Sequence, residues 1–406
     1  MTVPEALVRI EGVSAECVVQ HASIRHGRDD PSSQPEADSA TLELVGPMPA
    51  GVEVGATLEL LARVGGTTYP RFAGRVTDVA IGWHSVDLPA GTIVAVGELA
   101  DMGRRVIGDA PYPAETDGVR VNRAIAAAGV RTDAIRSDPG TLTVLARDVD
   151  AQPALAIAVD AATDGAGFVW QATDGAVLYA DAQHRRAARP VVELDACDLP
   201  LSLSWTKGLE GLVNDIRVRY GAANPQPEVH VTDAASIVDL GTFAASLSTR
   251  LASAGDANAR AQIVAVRQSR PTWVLASLGM PLEWLDAQLS LALLELEVHD
   301  LLSITGMPAG APMTSALVFV EGWSETIAPG SWQIELAVSD YCRTAPAPSW
   351  DEVDPLVTWD TLDAGLTWDA STCVPPYVGH GRWADVPSSL RWDLVAPSET
   401  WDTWTG

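Results

Sequence analysis

Lysine is almost missing from this sequence. Lys207 is the single lysine among 26 basic side chains, set against 53 acidic ones, for a net charge of −27. A surface of that sign repels phosphate and argues against nucleic-acid affinity. The dominance of arginine, with abundant alanine, reads as the codon bias of a GC-rich genome. Cysteine is scarce as well. Cys17, Cys197, Cys342 and Cys373 lie far apart with no C-x-x-C pair, which argues against a disulfide framework and a zinc site and leaves them as expected small core residues. No apolar run reaches the roughly 18 residues of a membrane span. The opening MTVPEALVRI lacks the basic and apolar regions of a signal peptide, so the expectation is a protein made in a cytoplasm and staying soluble.

Catalytic signatures are absent too. The histidines (His21, His26, His84, His184, His230, His299, His380) are scattered, with no H-E-x-x-H, no G-x-S-x-G and no phosphate loop. Asp148-Val149-Asp150 is a D-x-D pair without the further carboxylates a hard cation needs, so it reads as a helix cap beside a solvated acid. Asp160, Asp164 and Asp174 read as helix-end and turn residues. Arg104-Arg105 and His184-Arg185-Arg186 read as solvated turns. The expectation is no enzyme, no cofactor and no metal.

What the chain does have is short alternating strands. Ala40 to Trp83 places Leu42-Leu44, Leu58-Leu60, Phe72 and Val76-Val79-Ile81 between turn signals at Gly46-Pro47, Ala50-Gly51 and Gly65-Gly66. Asp300 to Thr326 repeats the scheme, and its Phe319, Gly322 and Trp323 echo Phe72, Gly74 and Trp83. The fold class expected is mainly β with an α+β insert: two similar small β-barrels followed by an extended Trp-rich C-terminal segment.

In chain order, residues 1–103 make the first barrel, with Leu7–Ile10 and Cys17–Val19 as opening strands and a polar loop after Ile24–Asp30. Residues 104–190 form the α+β insert. It holds a helix over Val119–Ala128 stopped by Gly129, a strand at Thr141–Leu145, and a helix capped by Asp150. A hairpin turning at Asp174-Gly175 closes the insert. Residues 191–345 make the second barrel, opening at Leu201–Trp205 and continuing through Val213–Tyr220 and Val229–Val231. A partly helical excursion spans Ser236–Val264, after which strands resume at Pro281–Trp284, Leu291–Val298 and Trp332–Val338.

Residues 346–406 carry Trp350, Trp359, Trp368, Trp383, Trp392, Trp401 and Trp404, half of the chain's 14 tryptophans. Five are followed by Asp, and a nine-residue spacing recurs, far from the roughly 40-residue period of a propeller blade. Rich in proline and acid, the segment cannot build a core, so its indoles are expected to dock on something else. A strap plugging pockets on a partner is favoured over stacking on sugars, because a sugar site needs polar side chains clustered around each ring.

Several phrases together resemble the tail-hub (minor tail or baseplate-hub) proteins of tailed bacteriophages, in particular of siphophages infecting actinobacteria. They are RFAGRVTDVAIGW, VGELADMGRRVIGDAPYPAETDGVRVNRAIAAAGV, LTVLARDVDAQPAL, and LVFVEGWSETI followed by WQIELAVSD. The order barrel, insert, barrel carries the same likeness, which covers the chain to Tyr341. The resemblance implies a structural virion protein assembled in the host cytoplasm. In that family two barrels per chain, in a homotrimeric ring, present pseudo-sixfold symmetry to the tail tube. The implied partners are copies of itself, the distal tail or tube protein, and tail-tip or fibre proteins. DNA would only transit the channel, which suits an acidic wall. Host cell-surface glycan binding through the C-terminal tryptophans is the alternative.

Overall fold

The computed structural model describes residues 4–341, apart from 16–17, 47, 49–50, 86–87, 109–110, 134, 149, 186–187, 198 and 200–201. The first part is all strand: β1 (Glu5–Ile10), β2 (Val13–Ser14), β3 (Val18–Gly27), β4 (Ser39–Val45), β5 (Thr57–Val64), β6 (Thr67–Ser85) and β7 (Leu88–Val96). Alternation sets the faces. Leu42 and Leu44 on β4, Leu58 and Leu60 on β5, and Phe72 and Val76 on β6 all turn into one core.

Helix α1 (Glu98–Arg104) then opens the insert. Short strands β8 (Val106–Ile107) and β9 (Glu115–Thr116) precede α2 (Asp117–Ala128), and β10 (Thr143–Val144) and β11 (Gln152–Pro153) precede α3 (Ala154–Asp164). Helix α2 starts where the Thr116 side chain accepts from the Val119 N–H, and it stops at Gly129, whose φ of 62° is left-handed. The expected Asp150 cap is not used: α3 begins after Pro153, and Asp150 is exposed. The hairpin of β12 (Phe168–Gln171) and β13 (Val177–Ala180) turns at Asp174-Gly175, with Asp174 Oδ1 accepting from the Ala176 N–H. Its residues are buried on both faces. Trp170, Leu178 and Ala180 join the large core, while Val169, Val177 and Tyr179 pack against α2 and α3.

The remainder comprises β14 (Pro190–Asp195), β15 (Ser202–Thr206), β16 (Asp215–Arg219), β17 (Glu228–Thr232), α4 (Ala234–Leu240), β18 (Ala244–Ser248), α5 (Ala254–Gln268), β19 (Val274–Pro281), α6 (Ala287–Leu294), β20 (Leu301–Thr305), β21 (Ala316–Ala328) and β22 (Ser331–Asp340). Here the structure corrects three expectations. The excursion begins directly after β15, because Val213–Tyr220 and Val229–Val231 fall in a separate three-stranded sheet, β17-β16-β18. The inward Ile216 and Val218 of that sheet pack on Ala257, Ala261 and Val264 of α5, which satisfies their alternation away from the main core. Leu291–Val298 is not a strand. Asp286 caps the Leu289 N–H and starts α6, which puts Leu293 and Leu294 on one buried helical face. Finally, Cys197 is exposed rather than a core residue.

The main sheet has thirteen strands. Its two halves share one lateral order: β1-β5-β6-β7-β4-β3 in the first and β14-β20-β21-β22-β19-β15 in the second. Read in chain order, these are the same six positions. One pairing differs in sense, since β1 runs antiparallel to β5 while β14 runs parallel to β20. Among the described residues neither half closes into the expected barrel by strand pairing. Instead, the edge of β3 is taken by β21, with Gly322 opposite Gly27 and Ile327 opposite Ala22, so the two halves form one sheet over one continuous core.

Candidate functional site

The tryptophans expected to carry binding (Trp350, Trp359, Trp368, Trp383, Trp392, Trp401 and Trp404) lie outside the described residues. What the structure does bring together is a buried set of charges where β3 crosses β21. The crossing is tight because both strands have glycine there. A Cβ on Gly27 would fall 2.4 Å from the Glu321 carbonyl oxygen, and one on Gly322 would fall 2.4 Å from that of His26. Glu321 is the bulged residue of β21, the extra residue between Val320 and Gly322 against β22.

Three parts of the chain converge on the Glu321 carboxylate. Arg28, just past β3, donates from Nε at 2.8 Å and Nη2 at 2.5 Å. Arg185, between β13 and β14, donates from Nη1 at 2.6 Å and Nη2 at 2.9 Å, and Ser339 of β22 donates its hydroxyl. The Arg28 guanidinium stacks on Phe168 of the insert at 3.6 Å, and Arg185 lies over Phe319 at 4.7 Å. Burial alone would raise the Glu321 carboxyl, but Arg185 and Arg28 outweigh it and hold it well below the usual carboxylate range. Arg185 also donates to His299 Nδ1 from Nε at 3.0 Å and Nη2 at 2.6 Å. His299 Nδ1 must therefore be bare and the ring neutral, in keeping with a pKa held well below its usual value by burial and by Arg185.

A second charged set lies beside it. Arg71 of β6 reaches Glu325 Oε1 from Nη2 at 2.6 Å and Nε at 3.0 Å, and the indole N–H groups of Trp323 and Trp332 each donate to Glu325 at 2.8 Å. His26 sits between Asp38 (Nδ1 to Oδ2, 2.7 Å) and the Arg71 carbonyl (Nε2 to O, 2.7 Å). Both neighbours only accept, so both ring nitrogens carry protons. Burial opposes that charge, yet Asp38 outweighs burial and raises the His26 pKa.

Chemically, this arrangement ties strands together, since Glu321 and Glu325 each accept from donors on several parts of the chain. A small indentation lined by Phe168, Asp181, His184, Arg185, Arg267 and His299 is too tight to admit a water molecule. Among the described residues no three His, Cys, Asp or Glu side chains cluster as metal ligands. Asp148 and Asp150 are exposed, Asp160 pairs with Arg147, Asp164 accepts from the Arg250 N–H, and Asp174 pairs with Arg131 and Arg136.

The expectation of a solvated turn at His184-Arg185 is overturned, since Arg185 is only 4% exposed. Its acidic partner lies 136 residues away, and only the oddity of Glu321 inside the apolar run LVFVEGW could have flagged the site.

The sequence matches no protein-family model and no curated protein. Among solved structures it is similar to the 43 kDa tail protein of prophage MuSo2 from Shewanella oneidensis, with a TM-score of 0.60 at 11% identity, covering 84% of this chain and 99% of that one. A tail protein from Neisseria meningitidis MC58 gives 0.59 at 11% identity, covering 85% and 100%. Prophage tail protein gp18 from Listeria monocytogenes EGD-e gives 0.51 at 12%, covering 82% and 94%. At these identities what is shared is the fold.

Proposed function

We propose that this chain is a structural protein of a phage tail tip, a hub whose copies form a ring that continues the tail tube and anchors distal tail proteins. The observation carrying this reading is the doubled sheet: two halves of one strand order, joined edge to edge, in a fold shared along nearly the full length of a prophage tail protein. A chain that brings two like units to a ring presents twice as many similar faces as it has copies. Three copies would thus meet a sixfold tube with six units. The buried charges suit this role, because they pin both halves and the insert in one arrangement under load.

The acidic balance of the chain suits a channel wall that lets DNA pass. Residues 346–406 would serve as a strap whose tryptophans plug pockets on a neighbour. The mass of the protein in solution and on purified tails tests the ring, with three copies expected. A chain that stays monomeric on assembled tails overturns it. Millimolar or tighter binding of host cell-wall glycans, lost on Trp→Ala changes in 346–406, would replace the strap by a receptor-binding segment.

A further inference from the structure

The internal junction specifies the external one. Strand β21 is paired along one side by β22, while its other side is shared, with Ala316–Phe319 on β20 and Gly322–Ile327 on β3. Its counterpart β6 is paired along one side by β7, and on the other side β5 covers only Thr67–Arg75. Among the described residues the edge of β6 from Asp78 to Trp83 has no strand against it. That stretch is exposed: Ile81 is 50% and Trp83 67% accessible. Among the described residues strand β15, the counterpart of β3, pairs with β19 alone, so its outer edge has no strand against it there either. One half thus offers what β3 offers, and the other offers what β21 offers.

We propose that β6 of one copy pairs antiparallel with β15 of the next, repeating between chains the β21–β3 junction found within each chain. This rests on the ring reading above and names its contact. The register follows from the bulges. Against β7, β6 shifts register between Val76 and Asp78 and again between Trp83 and Ser85, and β21 shifts once against β22, between Val320 and Gly322. The first shift of β6 is the counterpart, since it falls just past the end of the β5 pairing at Arg75, as that of β21 falls just past the end of the β20 pairing at Phe319. Superposing these two matches Asp78 with Gly322, hence Val94 with Ala337, Thr41 with Ser277, and Ser23 with Ser204, each through the observed strand pairings. Transferring Gly322–Gly27 through Ile327–Ala22 then sets Asp78 opposite Gly208, Ala80 opposite Thr206, Ile81 opposite Trp205, Gly82 opposite Ser204, and Trp83 opposite Leu203 of the second copy.

The register taken from the bulges brings the apolar residues of the two edges onto one face. Val79, Ile81 and Trp83 share that face; Ile81 meets Trp205 and Trp83 meets Leu203, both of which already pack on the edge of the main core, while Val79 meets the stem of the exposed Lys207. Ala80 and Gly82 meet the exposed Thr206 and Ser204 on the other face. Gly208 also falls where Gly27 stands in the internal junction. Because different surfaces meet, the contact is head to tail and closes only as a ring.

The test is a cross-link in register. Ala80→Cys with Thr206→Cys, in a background carrying Cys17→Ser, Cys197→Ser, Cys342→Ser and Cys373→Ser, should on oxidation give a covalent ladder that ends at the mass of the closed ring and collapses on reduction. Either cysteine alone should give none. Ile81→Asp should leave the monomer's melting unchanged and weaken association at least 100-fold. A ring of the right mass in which neither the 80/206 nor the 82/204 pair links, or in which Ile81→Asp is silent, overturns the strand pairing and leaves the ring reading standing. A chain that stays monomeric at every concentration and on tails overturns both.

Discussion

Gly27 and Gly322 face each other across the β3–β21 ladder, and neither has room for a Cβ. Gly27 also sits at φ +69°, where a side chain is strained whatever the space. Gly322→Ala should destabilise the protein by about 3 kcal/mol, since backbone rather than a flexible side chain must yield. Gly330→Ala, at φ +80° in a turn with open space around it, should cost only about 1–2 kcal/mol. Urea unfolding of both variants checks the ranking, and equal losses would mean the close approach is not what matters.

Glu321→Gln keeps the volume but leaves Arg28 and Arg185 facing a neutral amide in a buried site. The expected loss is about 3–5 kcal/mol. Arg185→Ala should cost markedly less in the Glu321→Gln background than in the native protein, with a coupling of about 1–3 kcal/mol in a double-mutant cycle. Additive losses would show that the pair does not act as a unit.

Stability should depend on pH in two opposite limbs. Burial raises Glu297 to about 7 and Asp117, Asp164 and Asp300 to about 6. A carboxyl raised on folding contributes stability below its unfolded pKa and loses it as pH rises through the folded value, so melting temperature should rise as pH is lowered from about 8 to about 5. His299, held neutral by burial, opposes this below its ordinary pKa, but it is one group against four. Glu321 and Glu325 are depressed, so their contribution is present above the unfolded value and lost as pH falls through the folded one, which turns the curve down in acid. Glu297→Gln should flatten the upper limb, and an unchanged slope there would remove Glu297 as its source.

Deleting residues 346–406, a proline- and acid-rich segment unsuited to building a core, should leave the thirteen-stranded sheet folded. Circular dichroism and melting should be nearly unchanged while attachment of a neighbouring tail protein fails. Infectious tails assembled with the shortened chain would show the segment to be dispensable.

The legible features were those written in adjacent residues. Gly129 after a helical period and Asp174-Gly175 between alternating runs each specify a local backbone shape, and the structure has a helix end at the first and a hairpin turn at the second. The repeated strand scheme is real in that β6 and β21 hold equivalent places, but the echoed Phe72 and Phe319 are not equivalent: with the bulges superposed Phe319 matches Arg75, and it packs on Tyr341 rather than in the main core. The joining of the halves is not legible, because nothing near Ala22–Gly27 in sequence names β21 as its partner. Val213–Tyr220 alternates like any half-buried strand, and alternation alone does not say which core receives it. Leu291–Val298 has the apolar content of a strand, and the opposing signal is Asp286, whose carboxylate starts the helix. The charged junction was hidden for a different reason. Arg28, Arg185 and Glu321 each look like surface residues until folding brings them within hydrogen-bond reach.

The hairpin of β12 and β13, buried on both faces, has a consequence for how the molecule opens. Its amides at Val169 and Val177 lie between two cores, so solvent reaches them only when the insert separates from the sheet. Hydrogen exchange there should proceed with the same free energy as in the central strands β7 and β22, and heating should give one calorimetric transition, not two. The insert is thus the keystone of a single cooperative unit.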